Sequence, residues 1–403
     1  MEYQFVGVIL GGDVNSYGVA RAFYDEYKIK TIILGQSPLF PTTYSNITEC
    51  YYYDKLLDSD VLIKALKDVD KLYPDKKKIL LGNTDYYVRH IIANKDKINK
   101  ISKNFIMPFV TLEQFDTLVD KEKFYDLCEK HGLDYPKTVI FDFQKDDIEE
   151  FESPYGYPLF MKPNDSVLYS KYDFENKQKG YTIHSNLELK SILENIKKSG
   201  FNGKFLIQEY VDTDDYSMFV FTCYANQKHK VEVVTGGRIL MLDKTPELIG
   251  NYNAITNFYN KEISMKLKKF LEDIKFTGIC HFDVAYDKIR KKYVVFEINV
   301  RQGRSNYYTL ASGVNLMKYL VTDYVYNKDS KFYIADTVFT ASLVSKGNLK
   351  EVLYRQGIKH KIKNFSRYTL CSYDHSLKRC YYQFRWDNKI MNAYFRYNRY
   401  QDF

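Results

Sequence analysis

The sequence has no apolar run long enough to cross a bilayer, for which a helix needs about 20 apolar residues. We also expect no signal peptide, because residues 1–4 (MEYQ) lead directly into a predicted strand. We therefore expect a cytoplasmic protein. The composition, with 45% hydrophobic and 27% charged residues, is that of a globular chain, and 403 residues allow two or three domains.

Cysteine pairs at metal-binding spacing are absent as well. The six cysteines are scattered without a C-x-x-C pair, which argues against both a zinc site and a disulfide framework. We expect reduced and mostly buried thiols at all six positions, which are Cys50, Cys128, Cys223, Cys280, Cys371 and Cys380.

Several common enzyme motifs are missing too. The sequence contains no Walker A loop, G-x-S-x-G elbow or H-E-x-x-H helix. The glycines in the segment 11–18, after the apolar run 5–10, do not have the G-x-G-x-x-G spacing, and no acid ends the second strand, 31–34, which argues against NAD. With a third strand at 79–81, this region predicts an open α/β domain.

The turn at Gly11-Gly12-Asp13 joins the carboxyl end of the first predicted strand to a helix. Such a turn could receive a carboxylate or a phosphate at the helix N-terminus. The alternative is a tight strand-to-helix turn with no ligand.

Residues 277–306 predict a β-hairpin that carries acidic groups. In its two arms, apolar residues alternate with Asp283 and with Glu297 and Asn299. Facing residues on neighbouring strands have Cβ atoms about 4.5 to 5.5 Å apart, so the two carboxylates would repel unless a cation lay between them. Carboxylates and an amide oxygen suit Mg²⁺, and the alternative is a solvated polar face.

Two arginines follow the hairpin directly. Arg301 and Arg304 flank Gly303 just beyond the acidic residues, where a transferring phosphoryl group would need positive charge.

Two further segments end strands with polar groups. Lys162 closes the apolar run 157–163, and it could either reach a phosphate or extend its charge from the strand end into water. Residues 209–215 follow the strand 205–208 with several acids, which could accept a ribose hydroxyl or an exocyclic amine, or could form an ordinary charged loop.

The net charge of +8 lies almost entirely near the end of the chain. Residues 351–403 contain eleven Lys or Arg and four Asp or Glu. In residues 377–400 aromatic and basic residues interleave, and both helical spacing and strand alternation find support. This stretch could bind anionic lipid or an anionic glycan precursor, contact nucleic acid, or pack its aromatic residues on the rest of the protein.

In order and approximate spacing, these motifs resemble those of the ATP-grasp superfamily. They are Lys121, Lys162-Pro163, the exit 208–211, Asp283 and the run from Glu297 to Arg301. Within the superfamily the chain resembles the bacterial D-aspartate ligases of peptidoglycan synthesis over roughly residues 5 to 330. The similar stretches are GGDVNSYGVARAF, YPKT, KPNDSV, IQEYV, TPELIGNY and FEINVRQGRS.

The resemblance implies an α/β chain with α+β lobes and the ATP-grasp fold, in which two lobes enclose the nucleotide. We expect four parts. They are a pre-ATP-grasp α/β domain (1–115), a central lobe (116–204), a C-terminal lobe with the metal site (205–330) and a basic, aromatic extension (331–403).

The resemblance also implies a role for individual residues, with ATP and Mg²⁺ as cofactors. ATP would contact Lys121, Lys162, Glu209, Tyr210, Val211 and Asp215. Mg²⁺ would bind Asp283, Glu297 and Asn299. Arg301, assisted by Arg304, would stabilise the transferring phosphoryl group, and the substrate would contact Gly12, Asp13, Asn15 and Ser305. The loop after Lys162 lacks the glycine-rich run of the superfamily, so its phosphate contacts stay unassigned, and Asp214 is a second candidate for the ribose.

The implied activity is ATP-dependent ligation of an amino-acid carboxylate, such as that of D-aspartate, to an amine through an acyl phosphate. The partner would be a nucleotide-linked muramyl peptide, with peripheral membrane contact through the basic extension. One alternative is a dipeptide or other small-amide ligase. A non-enzyme alternative is a nucleotide-binding protein whose extension holds membrane or nucleic acid, but a binder would not need the lysines, both acids and Arg301 together.

Overall fold

The computed structural model describes residues 3–245, 248 and 250–398, apart from the side chains of residues 166, 167, 215, 397 and 398. The chain forms two compact units. The large unit comprises Met1–Phe124, Asp215–Val284 and Glu297–Phe403, and the small unit comprises Tyr125–Asp214 and Ala285–Phe296. The four domain boundaries expected from the sequence stay predictions.

The large unit begins with a five-stranded parallel sheet in the order β3-β2-β1-β4-β5. Its strands are β1 Phe5–Leu10, β2 Thr31–Gly35, β3 Thr48–Tyr52, β4 Lys77–Gly82 and β5 Phe105–Ile106. The accompanying helices are α1 Val14–Tyr27, α2 Phe40–Thr43, α3 Ser59–Leu72, α4 Asp85–Ala93, α5 Lys95–Ile101 and α6 Leu112–Val119. Every residue of β1 is buried, as expected for a central strand covered on both faces. The predicted open α/β arrangement is confirmed.

Strands β1 and β4 place two loops side by side. Leu10 pairs with Gly82 at the carboxyl ends of these parallel strands, so the chain leaves both strands at one edge of the sheet. Ligands of open α/β sheets bind at such an edge. Gly11 continues from β1 with a φ of 96°, and a Cβ on it would lie 2.1 Å from Asn83 Oδ1. Only glycine fits there.

The small unit contains a four-stranded antiparallel sheet in the order β6-β9-β7-β8. Its strands are β6 Thr138–Asp142, β7 Leu159–Pro163, β8 Tyr181–Ile183 and β9 Lys204–Glu209. The neighbouring helices are α7 Lys121–His131, α8 Ser166–Ser170 and α9 Asn186–Lys198. Burial alternates along β7, where Leu159 and Met161 belong to the core and Lys162 is half-buried.

A second sheet has eight strands, and all of them except parts of β13 and β14 belong to the large unit. It runs in the order β14-β13-β10-β11-β12-β16-β17, with β15 beside β11. These strands are β10 Met218–Ala225, β11 Val231–Leu242, β12 Tyr252–Asn257, β13 Gly278–Asp287, β14 Lys292–Asn299, β15 Tyr333–Ile334, β16 Thr340–Ser342 and β17 Phe365–Arg367. The remaining helices are α10 Lys261–Asp273, α11 Tyr307–Ala311, α12 Leu316–Tyr324, α13 Lys346–Arg355 and α14 Leu377–Asn398.

The C-terminal segment is defined as residues 331–403, and its described part, residues 331–398, contributes to this core. Strands β15, β16 and β17 belong to the eight-stranded sheet, and Ile390, Met391 and Tyr394 of α14 are buried in the same hydrophobic cluster as β11 and β12. This favours the packing alternative for the aromatic stretch. Among the described helices, none is both long and apolar enough to cross a membrane.

A buried ion pair fastens the C-terminal segment to the start of the chain. The Arg379 guanidinium lies 3.5 Å from Asp374, and both side chains are fully buried. Asp374 accepts hydrogen bonds from Tyr17 Oη at 2.7 Å and Asn46 N at 2.7 Å. Arg379 donates to the Pro41 carbonyl at 2.9 Å. Residues 17 to 46 therefore pack against residues 374 to 379.

Candidate active site

Asp13 lies where the chain leaves β1 and caps α1. Its Oδ1 accepts hydrogen bonds from the backbone N–H of Asn15 at 2.9 Å and of Ser16 at 3.3 Å. Asn83 Nδ2, from the loop after β4, donates to the same oxygen at 2.7 Å. Burial raises the pKa of Asp13 despite these donors. The neighbouring Gly12 accepts a hydrogen bond from Thr42 through its carbonyl.

Asn15 joins this loop to the turn that follows the hairpin. Its Nδ2 donates to the carbonyls of Asn83 at 2.8 Å and Gln302 at 2.9 Å. Its Oδ1 accepts from Asn306 Nδ2 at 2.9 Å. Because Asn15 is fully buried and makes these bonds to protein, the structure gives it a joining role between the two segments. Its substrate contact stays a prediction, as does that of Ser305, which is buried in the same turn.

The predicted magnesium residues lie together in the large unit. Asn299 Nδ2 donates to Asp283 Oδ2 at 3.2 Å, and the Tyr252 hydroxyl donates to Asp283 Oδ1. Lys121 Nζ lies 3.3 Å from Glu297 Oε2. Burial and the adjacent Glu297 carboxylate raise the pKa of Asp283. Asp283 and Glu297 are called the carboxylate pair below.

The chemistry of these donors fits a hard cation. Two neighbouring carboxylates repel each other when both are ionised, and a divalent ion between them removes this repulsion. Mg²⁺ prefers oxygen ligands such as these. The Asn299 oxygen accepts from Arg301 Nη2 at 3.2 Å, so the carboxylates are the groups that a cation would meet first. No group of three or more His, Cys, Asp or Glu in the described part of the chain offers another such site.

Arg301 connects the carboxylate pair to the N-terminal sheet. Its Nη2 donates to Asp85 Oδ2 at 2.9 Å, and Asp85 is the first residue of α4 beyond β4. The buried Arg301 Nε and Asp85 Oδ1 have no hydrogen-bond partner in the described part of the chain. Polar atoms that are left unsatisfied in this way are common where a ligand binds.

His281 holds the backbone of Arg301. Its Nδ1–H donates to the Arg301 carbonyl at 3.2 Å, which fixes the backbone at the start of the turn. Burial and the Arg301 charge lower the pKa of His281 to about 4, so the ring is neutral near pH 7. A Cβ on Gly303 would lie 2.8 Å from the His281 ring, and the small residue therefore lets the turn pass over the imidazole.

Arg304 points to a different group of side chains. Its Nη1 donates to Asn253 Oδ1 at 3.3 Å, and its Nη2 lies 3.6 Å from Asp243 Oδ2. The guanidinium carbon is 6.0 Å from the centre of the Trp386 ring. Burial lowers the pKa of Arg304 and the Asp243 charge opposes this shift.

The predicted adenine residues belong to the small unit. Glu209 ends β9, and its Oε2 accepts from Lys137 N at 3.2 Å and lies 3.3 Å from Arg290 Nη1. Arg290 Nη2 also donates to the Tyr210 carbonyl at 3.3 Å. Val211 is buried. The backbone of the predicted adenine hinge is thus held by an arginine of the hairpin turn.

Lys162 and Asp215 complete the predicted ATP contacts. Lys162 lies on β7 opposite Leu206 of β9 and is half-buried. The Asp215 side chain lies outside the described residues. Four functional candidates were missed in the sequence, namely Asp85, His281, Tyr252 and Asp243. Two of these had a local signal, since Asp85 ends a polar run directly after a buried strand and Tyr252 ends the stretch TPELIGNY.

Comparison with known proteins finds relatives in sequence and structures of similar fold. No protein-family model matches the sequence. A D-aspartate ligase of Enterococcus faecium (strain Aus0004) is 34% identical over 330 residues, which cover 81% of this chain and 78% of the relative.

Two solved structures illustrate the fold. The ADP complex of PurK, an N5-carboxyaminoimidazole ribonucleotide synthetase, has a TM-score of 0.61 at 11% identity and covers 96% of this chain and 98% of its own. The biotin carboxylase domain of Hydrogenobacter thermophilus 2-oxoglutarate carboxylase, solved with MgADP, has a TM-score of 0.58 at 13% identity, covering 84% and 73%. The fold is therefore the predicted ATP-grasp fold.

The carboxylate pair, the fixed arginine, the shared fold and the relative's identity over most of both chains agree with one another. This chain is an ATP-dependent carboxylate–amine ligase, and it belongs to the D-aspartate ligase family.

Proposed function

We propose that the enzyme activates the carboxylate of an amino acid, D-aspartate being the first candidate, and joins it to the side-chain amine of a peptidoglycan precursor. The observation that carries this proposal is the continuous row of side chains Asp283, Asn299, Arg301 and Asp85. This row joins the carboxylates of Asp283 and Asp85 through the guanidinium of Arg301. Its Asp85 end follows Asn83, which donates to Asp13. The name of the relative at 34% identity supports the choice of acid.

The carboxylate pair would hold Mg²⁺, with Asn299 as a further oxygen donor. A bound Mg²⁺ supplies charge neutralisation for the ATP phosphates. Lys121, which lies 3.3 Å from Glu297, adds a second positive charge to this group. Structures of this fold that contain ADP and MgADP support ATP and Mg²⁺ as cofactors.

ATP would also contact Lys162 and the hinge 209–211 of the small unit, and Asp215 through its ribose. Because Arg290 and the Lys137 backbone already hold Glu209, we expect adenine to be read mainly by the backbone of the hinge. These contacts are proposals that rest on the positions of the residues in the sequence motifs.

The reaction consists of two displacements. The substrate carboxylate attacks the γ-phosphorus, the bond from that phosphorus to the ADP oxygen breaks, and an acyl phosphate forms. The amine nitrogen then attacks the acyl carbon, the bond to phosphate breaks, and loss of a proton leaves an amide. Arg301 would face the transferring phosphoryl group, since its unpaired Nε can stabilise developing negative charge.

A substrate panel tests this function. We expect phosphate release from ATP with D-aspartate and a nucleotide-linked muramyl peptide, and much less without the peptide. L-aspartate, D-glutamate and D-alanine would serve as alternative acids, and simple amino acids as alternative amines. Turnover only with two small amino acids would favour a dipeptide or small-amide ligase. No phosphate release with any pair would disprove the function.

The C-terminal segment supports one further proposal about location. The outer face of α14 is basic and contains no exposed carboxylate, because its acid, Asp387, is buried against Arg367 at 2.8 Å. The exposed basic residues are Lys378, Arg385, Lys389 and Arg396, and three large apolar side chains, Leu377, Tyr381 and Phe384, are exposed on α14 as well. These seven residues are called the basic face. This chemistry matches an anionic lipid surface, which is the peripheral contact predicted for the extension.

A further inference from the structure

Three buried polar atoms around Arg304 lack a hydrogen-bond partner among the described residues. They are Asp243 Oδ2, Asn253 Nδ2 and the Tyr368 hydroxyl. Each belongs to a side chain that is at most 1% exposed. Buried polar groups in native proteins are nearly always hydrogen-bonded, and leaving one unpaired costs about 1 to 3 kcal/mol. Three such groups near one guanidinium indicate that something else satisfies them.

The protein fixes the direction of two of these groups. Asp243 follows β11, and its Oδ1 accepts from Thr245 N at 2.9 Å, which leaves Oδ2 to face Arg304 Nη2 at 3.6 Å. The Asn253 oxygen accepts from Arg304 Nη1 at 3.3 Å, so its Nδ2 is the free donor. A carboxylate oxygen and an amide group therefore lie beside the two terminal nitrogens of the guanidinium.

The C-terminal segment contributes two further side chains, Tyr368 and Trp386, near Arg304. Tyr368 follows β17, and its carbonyl accepts from Arg21 Nη1 at 3.1 Å, which anchors the backbone there. Burial raises the pKa of the Tyr368 hydroxyl, and the nearby Arg304 charge opposes this shift. Trp386 of α14 lies on another side of the guanidinium, with its ring centre 6.0 Å away.

These groups are complementary to one kind of ligand. A guanidinium, an amide N–H and a phenolic O–H all suit a carboxylate. Asp243 Oδ2, which faces Arg304 at 3.6 Å without a hydrogen bond to any described residue, suits an ammonium group. A ligand with both groups close together is an α-amino acid. A simple anion such as phosphate would be repelled by Asp243.

We propose that Arg304, Asp243, Asn253 and Tyr368 form the subsite for the amino acid, holding its ammonium group and the carboxylate that is not activated. This rests on the proposed function, and it gives Arg304 a substrate-binding role while Arg301 serves the phosphoryl group. It also makes residues 368 and 386 of the C-terminal segment part of the substrate site.

The sole tryptophan of the chain allows a direct binding test. Because the sequence contains one Trp, selective excitation of Trp386 reports on the proposed subsite without ATP and without turnover. We expect D-aspartate to change this fluorescence in a saturable manner. Tyr368→Phe and Asp243→Asn should each weaken the apparent affinity about tenfold, since a hydrogen bond to a charged group is lost. Tyr354→Phe, on the exposed side of α13, is the matched control.

Steady-state kinetics separate this subsite from the function itself. In both variants KM for the amino acid should rise about tenfold, while KM for ATP stays unchanged, a split that general loss of structure would not produce. Unchanged amino-acid KM in both variants would overturn the subsite, although the ligase function would stand. Absence of phosphate release from the unaltered chain with every acid would reject the function and the subsite that depends on it.

Discussion

The Asp85 carboxylate accepts a hydrogen bond from Arg301 Nη2 at 2.9 Å, although the two residues are 216 positions apart in the chain. Asp85 begins α4 and Arg301 follows β14. The ion pair therefore orients the arginine from the N-terminal sheet, while Asn299 and the His281 ring fix it from the other side. Asp85 and Asn299 hold the guanidinium itself, and His281 holds the backbone of the same residue.

Arg301 and Asp85 should act as one unit in catalysis. We expect Arg301→Lys to lower kcat about 100-fold, because an ammonium group cannot keep the planar contacts and the charge at the phosphoryl group. Asp85→Asn should lower kcat about tenfold by loosening the arginine, and the double variant should lose less than the product of the two effects. Arg89→Lys, from an exposed ion pair on α4, is the control in the phosphate-release assay. Fully independent effects would disprove the coupling.

The carboxylate pair should make stability depend on both pH and Mg²⁺. Burial and Glu297 raise the pKa of Asp283, so the folded chain keeps a proton that the unfolded chain loses near pH 3.9, a value of about 3.9 being usual for Asp. This contribution is complete below that pH and is lost as the pH rises through the raised pKa.

Thermal unfolding measures this effect. We expect the Tm of the Mg²⁺-free chain to fall as the pH rises from about 3.9 through the raised pKa of Asp283. Mg²⁺ should restore the Tm, because the cation takes the place of the proton. Asp283→Asn should flatten the pH dependence and abolish the Mg²⁺ effect. Glu262→Gln, which removes an exposed acid on α10, should change neither. An unaltered Mg²⁺ response in Asp283→Asn would show that the metal binds elsewhere.

His281 should destabilise the chain in acid. Its pKa falls from an ordinary value of 6.5 to about 4. Between these two pH values His281 is protonated in the unfolded chain and neutral in the folded chain. Stability is therefore complete above about pH 6.5 and decreases as the pH falls toward 4, by up to about 3 kcal/mol. Denaturant titrations at several pH values should show this slope reduced in His281→Gln. The same change at the exposed His375 should leave the slope as it is.

The buried ion pair of the C-terminal segment should be important for stability. Arg379→Met leaves the Asp374 charge buried without its partner, so we expect the free energy of unfolding to drop by about 3 to 5 kcal/mol. The matched change Arg396→Met, on the basic face of α14, should cost less than about 0.5 kcal/mol. Equal losses in chemical denaturation would mean that the Arg379–Asp374 contact does not hold the segment in place.

The basic face of α14 should bind anionic vesicles. Each basic residue near an anionic surface contributes about 1 kcal/mol, so Arg385→Gln should weaken co-sedimentation about fivefold, and Phe384→Ser should weaken it further by removing apolar area. Leu187→Ser, which removes an exposed apolar side chain of α9, is the control. Equal binding to neutral vesicles, or binding to nucleic acid in their place, would reject the lipid assignment.

Local sequence patterns were sufficient for part of the site. The hairpin with Asp283, Glu297 and Asn299 could be predicted because alternation and charge lie within one stretch of chain. The N-terminal strands could be found from their apolar runs, although β3 was missed, since its sequence TECYY is polar and only partly buried.

Residues that act through long-range contacts could not be predicted. Tyr252 ends the stretch TPELIGNY, but only the structure shows that it reaches Asp283 from β12. Asp243 meets Arg304 across 61 positions and has no local motif. In α14 the aromatic residues satisfied helical spacing and strand alternation equally well. Tertiary packing of Ile390, Met391 and Tyr394 decides for the helix.

The contact between residues 17 to 46 and residues 374 to 379 has a consequence for synthesis of the protein. A chain emerging from the ribosome exposes Tyr17 and the Pro41 carbonyl long before Asp374 and Arg379 are made, so α1 must wait for its final packing partner. The same holds for Arg304, whose neighbours Tyr368 and Trp386 are translated later. If the proposed subsite is correct, a chain whose synthesis stops before residue 368 could not bind the amino acid. Such a chain could not use ATP to activate it.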